Sequence, residues 1–178
     1  MYAVPATRAK LAEAQFFHRK LLEVGKRHFS PEPEGFGYYL SAFVSAARSV
    51  TFALQCEHKP EYDAWFPAWK NSLENDKRAL LEEFNAHRIA EVHQGGMAIT
   101  HELAEISMAE YYLAASSEGV QVHIFTPFGV PRPKFHRAVR TLSLGGTQAE
   151  VMGATGTYFA LLTDLVNAFQ AHYGATAA

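Results

Sequence analysis

Four stretches of this chain repeat an apolar side chain at every third or fourth position, and that period constrains the fold more than any other feature of the sequence. Over residues 6–28, Leu11, Ala14, Phe17, Leu21 and Val24 form one stripe of an amphipathic helix. The following Ser30-Pro31-Glu32-Pro33-Glu34-Gly35 reads as a loop, since its prolines lack donors and its glycine suits a turn. A second helix is predicted over 36–57, with Phe36, Tyr39, Phe43, Ala47, Val50 and Leu54 on one face. Small residues fill much of the rest of it (Ser41, Ala42, Ser45, Ala46, Ser49), so neighbouring helices can approach closely and the element belongs at the centre.

A third helical pattern starts near Glu61 and carries Trp65, Trp69 and Leu73, then Leu80, Phe84 and Val92. Pro67 predicts a short leading helix or a kink, followed by a charged, mostly exposed run over 71–93 that stops at Gly95-Gly96. The last helix begins at about Gln148 and repeats Met152, Thr155, Phe159, Leu162, Val166, Phe169 and Tyr173 at heptad-like spacing.

Between 97 and 146 the helical period weakens. Residues 120–126 alternate as a strand does, and after a turn over 127–133, residues 134–142 suit the returning strand of a hairpin better than a short helix. Residues 100–115 leave room for a strand or a helix. With no repeat and no long linker, the 178 residues read as one mainly α domain. Its expected form is an antiparallel four-helix up-and-down bundle, with a hairpin-containing insertion at 97–146.

Composition narrows the function classes. Apolar residues at 48% and aromatics at 13% supply a core and argue against disorder. The single cysteine, Cys56, cannot pair internally, which fits a reducing, cytoplasmic setting and excludes a paired-cysteine zinc site. No stretch approaches the ~18 continuous apolar residues of a membrane helix, and the N-terminus lacks an apolar signal core, so neither export nor membrane insertion is expected. A net charge of −2 argues against coating nucleic acid by bulk charge but leaves room for a local basic groove.

Within the third helical pattern, Arg88-Ile89-Ala90-Glu91-Val92-His93 sets an arginine and a histidine five positions apart before the glycine pair. On an ideal helix that step turns the two positions about 140° apart, so convergence within one chain needs a distortion near Gly95. Ordinary helix-end cations that complement the C-terminal dipole are the plain reading of the pair. The Arg-x4-His pattern on a helical bundle resembles the signature of the HEPN superfamily (higher eukaryote and prokaryote nucleotide-binding domains). The resemblance implies a metal-independent endoribonuclease without cofactor, acting on RNA as a homodimer, in the manner of a toxin or stress-response effector with a possible antitoxin partner. His93 would be the general base and Arg88 the phosphate clamp. The alternative is a catalytically inactive HEPN-like binding or dimerisation module, toward which the apolar Ile89 and the acidic net charge point.

Further candidates for substrate contacts are Arg48, His87, Glu91 and Arg137. Arg48 stands in an otherwise small and apolar helix, where it must reach solvent, pair with a carboxylate or face a cleft. Arg137 belongs to the most basic tract, 132–140, whose Phe135 could stack on a base, although a cation-protected hairpin edge explains that tract as well. Cys56-Glu57-His58 does not face one point on a helix end. Glu83 and His87 are four apart but lack partners on neighbouring helices, so no metal site is expected.

Overall fold

The stripes become helices that bury one face each. In the computed structural model, residues 2–26, 33–94, 99–123, 131, 134–144 and 147–176 are described. They contain six helices: α1 (Pro5–Gly25), α2 (Pro33–Glu57), α3 (Lys59–Ser72), α4 (Asn75–Gln94), α5 (Met108–Ser117) and α6 (Val151–Thr176). Three strands, β1 (Ile99–Ile106), β2 (Phe135–Leu144) and β3 (Thr147–Glu150), form a small antiparallel sheet before the last helix, in the order β1-β2-β3. No helix among the described residues is long and apolar enough to cross a membrane.

Helices α1 and α2 run antiparallel. Gly25 at the end of α1 lies against Phe36 at the start of α2 and Met152 at the start of α6. At the opposite end, Glu57 accepts hydrogen bonds from the first turn of α1, and Arg8 donates to Asn167 of α6 at 2.8 Å and also to Gln170. The stripe residues Leu11, Ala14, Leu21, Val24, Phe43, Ala47, Val50, Leu54, Leu162, Val166 and Phe169 are all buried in one core. Helix α4 joins that core through Leu81 and Phe84, and the Phe84 ring stacks on Tyr158 of α6 at 4.3 Å between centroids. Dispersion and burial of these aromatic faces anchor α4 to α6.

Several boundaries differ from expectation. Helix α2 starts at Pro33, inside the predicted loop, because a proline fits the first helical turn, where its missing N–H has no partner to lose. Pro67 does not break α3. It sits on the exposed side, where the carbonyl it leaves free can turn to water, and the break comes instead at Leu73–Glu74. Helix α6 begins at Val151, since residues 147–150 pair with β2 as β3.

The insertion is also rearranged. The segment 120–123 is not a strand, and 124–130 lie outside the described residues. The partner of β2 is instead β1, from Ile99↔Leu142 to Ile106↔Phe135, with α5 between them in sequence. Helix α5 carries its own terminal signals: Ser107 and Glu110 form a capping box, and Gly119, at φ 71°, follows its last turn.

Candidate functional site

On α2, residues 48, 51, 52 and 55 share a stripe beside the core-facing one, because steps of three, four and seven return to the same side of a helix. Arg48, Thr51, Phe52 and Gln55 therefore line one wall of a cavity of about 440 Å³. Tyr62 and Phe66 of α3 form a second wall, since the chain turns back at His58 and lays α3 beside the C-terminal half of α2. Asn85 and Ala86 of α4 complete it.

The Arg48 side chain is half-buried, and no ion pair among the described residues engages it. Its side chain lines the cavity while remaining partly open to solvent. Its field reaches the buried hydroxyl of Tyr158, where burial raises the pKa and the guanidinium opposes that rise. Burial likewise raises the pKa of Tyr62, helped by Asp63 and Tyr158. Both phenols thus remain neutral, and neither supplies an anion to cancel the arginine charge. The rings of Tyr62 and Phe66 stack on each other at 4.7 Å. Phe52, by contrast, is 64% exposed at the rim. The Gln55 amide nitrogen donates to Asp63 at 2.9 Å, which commits one of its two N–H groups and leaves its carbonyl oxygen as an acceptor. Asp63 is in turn held by Lys59 at 2.5 Å, and those hydrogen bonds keep its carboxyl below the usual range.

Arg88, His93, His87 and Glu91 all belong to α4, which stays helical through Gln94; their side chains lie outside the described residues. Regular helix across 88–93 keeps the Arg88 and His93 positions about 140° apart around the axis. Asn85, at the cavity wall, precedes Arg88 by three residues. Gly95 and Gly96 lie outside the described residues.

Arg137 is exposed on β2, and Glu110 at the start of α5 feels its charge, so it belongs to the sheet rather than to the Arg48 cavity. Lys134, Phe135 and Arg140 of the same tract make contacts of their own. Lys134 pairs with Glu105 at 3.0 Å, and the half-buried Phe135 packs on Tyr111 at 4.5 Å. In the sheet order β2 is central, but β3 pairs only with its residues 141–144, so over 135–140 its other side meets no strand among the described residues and the reading of a cation-protected edge still fits. Arg140 lies over the Phe36 ring at 4.3 Å, and burial lowers its pKa.

Glu57 and His58 serve the N-terminal segment: Glu57 caps α1, and the His58 ring lies 2.8 Å from the carbonyl of Ala3. Cys56 is exposed. Among the described residues, no group of three or more His, Cys, Asp or Glu could hold a metal ion.

Sequence reasoning missed Phe52 and Asn85. Phe52 had a readable signal in its four-residue step from Arg48 and its position off the apolar stripe of α2. Asn85 had none, because it depends on how α4 crosses α2. Compared with known proteins, the chain matches no family model, no curated protein and no solved structure.

Proposed function

We propose that this chain is a HEPN-like, metal-independent endoribonuclease of the cytoplasm, in which α1, α2, α4 and α6 serve as the four helices of an up-and-down bundle. His93 takes the proton of a ribose 2′-hydroxyl, whose oxygen attacks the adjacent phosphorus. Arg88 holds the phosphate oxygens, and the 5′-oxygen leaves, taking a proton from water. The products are a 2′,3′-cyclic phosphate and a 5′-hydroxyl.

The observation that carries this reading is the Arg48 cavity, a cationic recess with an aromatic rim whose α4 wall lies one turn before Arg88. Because regular helix separates the Arg88 and His93 positions by about 140°, a two-fold pairing of copies is the arrangement that brings one chain's arginine to the other's histidine. The homodimer is therefore part of the proposal, and an antitoxin partner would act by covering that cleft. In this reading Arg48, His87, Glu91 and Arg137 contact RNA rather than the reacting atoms.

One observation favours a second reading, a HEPN-like binding or dimerisation module without catalysis. Tyr38 and Phe52 are 69% and 64% exposed and stand two heptads apart on α2. That is the spacing of an apolar contact stripe.

Cleavage of mixed single-stranded RNAs in excess chelator separates the two. The nuclease reading expects cutting by the native protein and its loss in both His93→Ala and Arg88→Ala. Intact RNA, or equal cutting by the variants, leaves the module.

A further inference from the structure

The recess beside Arg48 combines features that together define a ligand. Its guanidinium is half-buried, without an ion-pair partner among the described residues, and flanked by phenols that stay neutral. Such a cation is poised for an external anion. Phe52, one helical turn further along α2, offers an exposed ring at the rim, whereas the faces of Tyr62 and Phe66 are already turned to each other. Residues four apart on a helix have Cβ atoms about 5–6 Å from one another. That span suits a ligand whose flat ring and anionic group are joined by a short linker, as base and phosphate are joined by a ribose. Across the recess, Asn85 presents an amide donor and acceptor and Gln55 a carbonyl oxygen, groups that match the edge of a base. A volume of about 440 Å³ accommodates one such unit and not a folded strand.

We infer that this recess is a specificity subsite for one unpaired nucleotide of the RNA strand, with its phosphate on Arg48, its base stacked on Phe52 and the base edge read by Asn85. The inference rests on the ribonuclease reading for its choice of ligand, but its test does not depend on cleavage.

Binding of a fluorescein-labelled single-stranded hexadeoxynucleotide, which lacks the 2′-hydroxyl and so cannot be cut by this chemistry, is measured by anisotropy. The native protein is expected to bind. Phe52→Ala weakens binding by about 5- to 150-fold, the range that base–aromatic stacking spans, and Phe52→Trp restores it. Arg48→Gln weakens binding and lowers the slope of log affinity against log salt by about 0.7, the signature of one lost phosphate contact on a single strand. Thermal melts confirm folding, which the exposed Phe52 position makes robust to substitution.

Absence of binding by the native protein overturns the subsite, as does unchanged affinity in Phe52→Ala. Displacement of the probe by hexaglutamate as readily as by unlabelled oligonucleotide also overturns it, since that result marks a site for acidic peptide. Binding without any RNA cleavage supports the subsite while the nuclease reading fails. Cleavage with an unaltered KM in both variants rejects the subsite and leaves the nuclease standing.

Discussion

Replacing Glu57 with alanine strips α1 of its N-terminal cap. The first turn of a helix has N–H groups with no partner inside it, and Val4, at the cap position, supplies no side-chain acceptor. Glu57 fills that role from the end of α2: its carboxylate accepts from the Ala6 N–H at 2.7 Å, the Thr7 N–H at 2.9 Å and the Thr7 hydroxyl at 2.5 Å. Loss of an N-cap costs about 0.5–2 kcal/mol, and hydrogen bonds to a charged acceptor reach about 1.5–3 kcal/mol. Solvent access to the half-buried carboxylate screens part of this. A loss of about 1–2 kcal/mol follows for Glu57→Ala, or a fall in Tm of about 2–8 °C for a chain of this size. Glu57→Gln keeps one acceptor and loses roughly half as much.

The effect also depends on pH. Burial raises the Glu57 carboxyl, but the hydrogen bonds from Thr7 and Ala6 outweigh it and hold the group below its ordinary range. A carboxyl lowered on folding stabilises fully above its unfolded pKa, about 4.3, and loses that contribution as pH falls through the folded value. Urea unfolding of native and Glu57→Ala proteins, followed by circular dichroism, should therefore show a gap at pH 7 that closes below pH 4. A gap under about 0.3 kcal/mol at pH 7, or one that widens in acid, would show that the Glu57 carboxylate does not cap α1.

Two further substitutions probe the core. His18 lies between the rings of Phe43 and Phe159, with its Nε2 buried and unpartnered among the described residues, and burial lowers its pKa. Its neutral form is therefore the stable one: the native protein should lose stability as pH falls below about 6.5, and His18→Leu should flatten that loss in urea midpoints measured between pH 7.5 and 5.5. Phe84→Ala removes the stack on Tyr158 and should cost about 3–5 kcal/mol, read as a lowered urea midpoint; a change below 1 kcal/mol would show that α4 is anchored elsewhere.

The helical stripes were legible because burial of one face leaves a period in the residues themselves. Leu11, Ala14, Leu21 and Val24 of α1 all reach the core, as do Phe43, Ala47, Val50 and Leu54 of α2. The strands were only partly legible. Residues 134–142, favoured as a strand over a short helix, do form most of β2, but nothing local in 99–106 distinguishes its true partner from 120–126, since pairing is a long-range choice. Gln148 and Ala149 continue the helical pattern and are nevertheless drawn into β3 by the neighbouring edge of β2. Helix α5 was left open between strand and helix, because its period is weak and its signal lies in its ends, the Ser107–Glu110 capping box and Gly119. At the site, Arg48 stood out as a charge in an apolar helix. The recess it lines was not legible, because three helices meet there and only their crossing brings Asn85 opposite Phe52.

Cleavage of RNA through the ribose hydroxyl without a metal is what we propose for this chain. End-group analysis of RNA incubated with the protein in excess chelator tests it most directly, alongside the same RNA carrying 2′-deoxyribose at the cut position. The proposed activity leaves 2′,3′-cyclic phosphate and 5′-hydroxyl ends and makes no cut at the deoxy position. Ends bearing a 5′-phosphate, a cut that tolerates the deoxy sugar, or RNA left whole would contradict it.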